Sequence, residues 1–231
     1  MDPNVRQRNM LIIGVLVVVV VVAAAVVILL SGNTTGSGLN FDNIPQSRTE
    51  DGAFVLGNPD APITVVEFAD FTCPHCQDYV GDVTRFITEY VATGKAKFEY
   101  RMLRTTGSQY GDFAAQLAEC SETVKPGSFW KAHERIFTLA AAGLYSDIGR
   151  DVAKTIGAEY GTLLECTSNA KQFQADSLVG QQAGVTGTPA VMIRFENGPL
   201  QWITIGGQTY NRGGVPFSTL AQVVLAVEAS S

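Results

Sequence analysis

Residues 63–76 read ITVVEFADFTCPHC, passing from a β-branched, nearly all-apolar run into a C-x-x-C motif. Ile63 to Ala69 suits a strand buried on both faces, interrupted by one charge, Glu67. From Cys76 the apolar residues recur at 76, 79, 80, 83, 86, 87 and 90, a helical period that Gly94 ends. Cys73-Pro74-His75-Cys76 therefore stands at a strand-to-helix turn and opens the helix. Disulfide exchange needs two thiols close enough to close a small ring, and two intervening residues allow it. It also needs one thiol that is both a good nucleophile and a good leaving group. A cysteine at a helix N-terminus meets unpaired backbone N–H groups and the positive end of the macrodipole, which favour a thiolate at Cys73. Pro74 fits the first helical turn, where its missing N–H has no partner to lose. His75, when protonated, adds positive charge beside Cys73.

Outward from this segment, Ala53 to Leu56 is a short apolar stretch closed by the turn Gly57-Asn58-Pro59, and Lys97 to Leu103 alternates as a strand does. Residues 108–183 carry helical stripes: Phe113, Leu117 and Cys120; Phe129, Trp130, His133, Ile136 and Phe137; Tyr160, Leu163, Leu164 and Thr167. Two further strands, Ala190 to Phe195 and Trp202 to Ile205, flank an Asn197-Gly198 hairpin signal. Phe217, Leu220, Val223, Val224 and Val227 mark a closing amphipathic helix. The order predicts an α/β layered domain with a mixed sheet whose β-containing halves flank a helical block.

Nearer the N-terminus, residues 10–30 are 21 uncharged residues with nine Val and three Ile. At about 1.5 Å per residue they span roughly 30 Å, one hydrocarbon core. Arg6 and Arg8 precede the run and the next basic residue is Arg48, which predicts a cytoplasmic segment 1–9, a transmembrane signal anchor over 10–30 and an exported remainder. The run is longer than a cleaved h-region, and Ala23-Ala24-Ala25 lies inside it rather than after it. Residues 31–50 read as a flexible tether, and the folded domain as 51–231. The whole chain has 231 residues and a net charge of −6, with no basic tract, so nucleic acid is an unsupported partner.

Alternatives for the four cysteines stay open from residue patterns alone. A C-x-x-C can be half of a zinc site, but no second C-x-x-C or His pair exists among Cys120, Cys166, His75 and His133, so no metal is expected. A purely structural Cys73–Cys76 bridge would stabilise little across so short a loop.

The segment from Glu67 to Cys76, with its Cys-Pro-His-Cys tetrapeptide, resembles the active-site segment of DsbA-like thiol:disulfide oxidoreductases in the thioredoxin superfamily. The helical block (about 106–184), Thr188-Pro189 before the late strand and Gly206-Gly207-Gln208-x-Tyr210 extend the resemblance over 51–231. It implies a thioredoxin-like fold with an all-helical insertion, preceded here by a single transmembrane helix. It implies catalysis by Cys73 and Cys76 with Pro74 and His75 between them. Thr188-Pro189 corresponds to a cis-proline loop that offers backbone hydrogen bonds to a substrate peptide. Glu67 takes the place of a buried acid that exchanges a proton with Cys76, and Lys97 the place of that acid's partner, either as a kinetic pair or as a structural one. Cys120 and Cys166, on helices of an exported domain, are expected as a structural disulfide, with two buried free thiols as the alternative.

The expected activity is therefore oxidation of cysteine pairs in reduced exported polypeptides by a membrane-tethered monomer without a separate cofactor. A membrane oxidant of the DsbB or vitamin-K-epoxide-reductase-like type is the implied recycling partner. An exported reductase or isomerase keeps the chemistry and reverses its direction. A non-enzymatic binder of unfolded exported chains is the reading from another class.

Overall fold

The computed structural model describes residues 39–229. The predicted anchor over 10–30 and the first part of the predicted tether lie outside them. Among the described residues no helix is long and apolar enough to cross a membrane.

Seven strands, β1 (Gln46–Arg48), β2 (Phe54–Leu56), β3 (Ile63–Ala69), β4 (Lys97–Met102), β5 (Ala190–Phe195), β6 (Gln201–Ile205) and β7 (Gln208–Tyr210), form one sheet in the order β1-β2-β4-β3-β5-β6-β7. β3 is its centre, parallel to β4 and antiparallel to β5, and all seven of its residues are buried. Its alternation divides two cores. Ile63, Val65 and Ala69 face the larger one, with Phe71, Cys76, Tyr79, Val83 and Phe86. Val66 and Phe68 face the smaller, with Ala190, Met192 and Val179.

Helix α1 (Pro74–Phe86) follows β3 after the four residues Asp70 to Cys73 and buries Cys76, Tyr79, Val83 and Phe86. The sequence predicts one helix up to Gly94. Instead α1 gives way to a π-turn at Ile87–Val91, with the Ala92 N–H donating to the Ile87 carbonyl at 2.8 Å. Gly94, at φ +79°, then turns the chain into β4. Five helices follow between β4 and β5: α2 (Gln109–Val124), α3 (Phe129–Ala141), α4 (Ile148–Ile156), α5 (Tyr160–Thr167) and α6 (Gln172–Gln182). Cys120 of α2 and Cys166 of α5 are joined by a disulfide. Helix α7 (Phe217–Glu228) packs beside α1.

Residues 39–50 depart from the expected tether. Phe41 and Ile44 are buried, Phe41–Asn43 form a 3₁₀ turn capped by the Asn40 side chain, and β1 pairs with β2 from Gln46↔Leu56 to Arg48↔Phe54. Two apolar anchors and a strand edge suffice to order a segment whose composition is mostly polar. The fold thus begins before Asp51, and Asp51 itself joins a buried charge network. Its carboxylate accepts from Arg101 at 2.8 Å, while Arg101 also bonds Glu99 at 2.6 Å and Asp176 of α6 at 3.3 Å.

Candidate active site

The end of β3 and the start of α1 place two free thiols at the C-terminal end of the sheet's central strand. Cys73 is the N-cap of α1, in extended conformation and without a side-chain cap hydrogen bond, and Pro74 occupies the first turn. This sets the Cys73 sulfur at the positive end of the helix dipole. The Cys76 N–H closes the turn by donating to the Cys73 carbonyl at 3.0 Å. Cys73 is 7% exposed and Cys76 only 1%, so the first thiol is the one substrates can reach. His75 and Pro74 are exposed on the first turn.

Facing them is the loop ahead of β5. The Thr188–Pro189 peptide bond is cis, and the Cys73 thiol donates to the Thr188 carbonyl at 3.4 Å. A cleft of about 610 Å³ opens beside this contact, lined in part by His75, Asp78, Tyr79, Thr188, Pro189 and Arg212. Tyr79 holds the cleft's far wall through its hydroxyl, which donates to the Val215 carbonyl at 2.7 Å.

Beneath the pair lies Glu67, on the same face of β3 as Ile63, Val65 and Ala69. Burial pushes its carboxyl up to about 8, so it carries a proton at neutral pH. Burial first and the Glu67 charge second hold the Cys76 thiol well above the ordinary thiol range. Lys97 does not pair with Glu67. The parallel register sets Glu67 opposite Tyr100 and Lys97 opposite Thr64, three residues away or about 10 Å along the strand. Lys97 instead donates to the Pro59 carbonyl at 2.9 Å. Glu67 therefore stays neutral by protonation, not by a cationic partner.

His133 is packed in a ring cluster with Phe71, Tyr100, Phe129 and Phe137, and burial pulls its imidazole down to about 3. Among the described residues, its Nε2 and the Tyr100 hydroxyl are the two buried side-chain polar atoms without a hydrogen bond. No group of three or more metal-ligating side chains occurs among the described residues.

Sequence reading assigned no role to Asp70, Thr105 or Thr106. Asp70 is 1% exposed, and its carboxylate accepts from Thr72, Thr105 and Thr106. The available signal was an acid at the end of a buried strand, three residues before Cys73.

Comparison with known proteins agrees with this arrangement. The model of the thioredoxin family matches residues 49–198, from just after β1 through β5. The chain belongs to the thioredoxin family. Within that family it is similar to the disulfide bond formation protein D of Bacillus subtilis, at 30% identity over 151 residues. The match covers 60% of this chain and 66% of that protein's length. The crystal structure of oxidised BdbD from B. subtilis superposes with a TM-score of 0.56 at 24% identity, covering 81% of this chain and 94% of that one. Wolbachia pipientis α-DsbA1 gives a TM-score of 0.64 at 21% identity, covering 79% and 94%. These two likenesses carry the fold, including its helical insertion.

Proposed function

We propose that this thioredoxin-family chain is a thiol:disulfide oxidoreductase that oxidises cysteine pairs in exported polypeptides. The observation that carries the reading is the placement of Cys73. It is the more accessible thiol, it sits at a helix N-terminus, and its sulfur contacts the carbonyl ahead of a cis-proline beside an open cleft. The B. subtilis relative named for disulfide bond formation supports the same chemistry.

In the oxidised protein a substrate thiolate attacks the Cys73 sulfur, and the Cys73–Cys76 bond breaks with its electron pair on Cys76. Glu67 supplies the proton that Cys76 takes up, which suits a buried thiol that resists ionisation. A second substrate thiolate then attacks the substrate sulfur of the mixed disulfide and displaces Cys73. The substrate loses two electrons and gains a disulfide, and the protein is left as a dithiol. Thr188 and Pro189 present backbone to the extended substrate by strand addition. Residues 10–30 anchor the chain with residues 1–9 in the cytoplasm and the thioredoxin domain outside. A membrane oxidant of the DsbB or vitamin-K-epoxide-reductase-like type takes the two electrons onward.

The test uses the full chain in detergent micelles, oxidised and mixed with a reduced test protein without other oxidant. One substrate disulfide forms per Cys73–Cys76 pair. Cys73→Ala and Cys76→Ala each abolish transfer, since neither can hold the donor disulfide, and Cys76→Ala traps a mixed disulfide at Cys73 only when it is offered a disulfide-bonded test protein. A full chain that keeps its own disulfide in the presence of reduced substrate contradicts the reading.

A further inference from the structure

The cleft beside Cys73 carries charges that the exchange reaction itself does not use. His75, Asp78, Tyr79 and Asp82 form its α1 wall. Their spacing of i, i+3, i+4 and i+7 makes one stripe along two turns of the helix. The stripe is about 10 Å long, a distance that an extended chain covers with about three residues. Tyr79 is its buried member, Asp82 is half-buried and Asp78 is exposed.

The other wall combines Thr186 to Pro189 with the loop Arg212 to Gly214. Three contacts fix that loop. Gly213 bridges to Ala190, the residue after the cis-proline. Gly214 lies so close to Tyr79 that a Cβ there would run into the ring. The Val215 carbonyl accepts from the Tyr79 hydroxyl at 2.7 Å. Arg212 is thus held at the cleft by the residue that braces both walls.

Among the described residues, the side chains of Asp78, Asp82 and Arg212 have no hydrogen bond or ion pair. Other surface carboxylates do pair, Asp112 with Arg104 and Asp42 with Lys131. Arg85, one turn beyond Asp82, bonds Glu89 at 2.7 Å and lies over the Phe217 ring instead. The cation nearest in the helix therefore leaves the α1 wall uncompensated. Charge of one sign along a cleft wall concentrates its field in the cleft, where an entering chain meets it. Arg212 repels a cation from the far wall and so sets the side on which it lies.

We propose that Asp78 and Asp82 are specificity-determining residues that select substrate cysteines with a lysine or arginine about two to four residues away. The proposal rests on the thiol–disulfide reading above and names its substrate class. The spacing follows from the helix. Asp78 and Asp82 stand five and nine residues after Cys73, about 8 and 14 Å along the axis. At about 3.3 Å per residue, an extended chain whose cysteine meets Cys73 brings its second to fourth neighbour alongside them.

The experiment mixes the oxidised full chain, in non-ionic detergent micelles, with short reduced dithiol peptides that differ only in one Lys or Glu. In one set that residue lies three places before the first cysteine, in the other three places after it. The quantity read is the ratio of kcat/KM for disulfide transfer, Lys peptide over Glu peptide. A charge also alters the peptide's own thiol, but that effect is common to parent and variant and cancels between them. In at least one set the parent's ratio exceeds that of the double variant Asp78→Asn, Asp82→Asn by about three- to tenfold, the size that two partly exposed ion pairs give. The excess shrinks in about 0.5 M salt, which screens exposed charges. Equal ratios in parent and variant in both sets overturn the proposal, and so does an excess that salt leaves unchanged. Absence of transfer from the parent to every peptide would instead overturn the thiol–disulfide reading.

Discussion

Replacing Glu67 with Gln stabilises the reduced protein by about 5 kcal/mol at pH 8.5 and above, and changes little at pH 4.5. The folded carboxyl titrates near 8 and the unfolded one near 4.5. Between those values the native state keeps a proton that the unfolded chain has released. Stability therefore falls as pH rises through this window, by about 1.4 kcal/mol per unit at most, which gives the total. Gln is close in shape to the protonated acid and has no proton to lose, so its unfolding profile is flatter. Denaturant unfolding at pH 4.5 and 8.5, on both proteins under reducing conditions, measures the difference directly. Parallel profiles would mean that Glu67 is ionised in the fold, with a cationic partner after all. The same substitution withholds the proton that Cys76 takes up, so exchange slows by about a hundredfold at neutral pH, the lower end of what a positioned acid contributes.

Removing the second cysteine pair is the other large effect. Cys120 and Cys166 are 46 residues apart, and the chain-entropy relation assigns such a loop about 4 kcal/mol. The double variant Cys120→Ala, Cys166→Ala melts about 8–16 °C lower, the shift expected for a domain of this size. The bridge ties α2 to α5 within the insertion. It lies outside the Cys73–Cys76 turn, so exchange at low temperature persists in the variant. Thiol labelling of the oxidised, denatured parent finds no free thiol. An unchanged melting midpoint, or two labelled thiols at these positions, would refute the structural role.

The parts of the site legible in sequence are those set by local rules. β3 announces itself by an apolar, β-branched run, and α1 by Cys73-Pro74 followed by a helical stripe, because burial on two faces and a helix start leave local residue signatures. The strand β5 and hairpin partner β6 follow from the two strand-like runs on either side of the Asn197-Gly198 hairpin signal. Register is not local, and that is where the reading of Lys97 failed. One strand's position along its neighbour decides whether a lysine meets Glu67 or a loop carbonyl, and nothing within Lys97 to Met102 records it. The same strand hides a second surprise. Glu99 and Arg101 alternate with apolar residues as solvent-facing positions do, yet α6 covers them and they survive burial by pairing with each other, Asp51, Asp176 and Arg194. Asp70, Thr105 and Thr188 meet across separations of 35 and 83 residues, so their contact exists only once the sheet has formed. Phe41 and Ile44 are two apolar residues among polar ones, too few to signal the 3₁₀ turn and edge strand they anchor.

The central claim concerns direction as much as chemistry, and the equilibrium reduction potential of Cys73–Cys76 in the full chain tests both. A value well above about −180 mV, that of protein disulfide isomerase, is expected for a pair that delivers disulfides to exported chains. A value near or below about −270 mV, the range of thioredoxin, would show that the pair donates electrons instead, and would contradict the account.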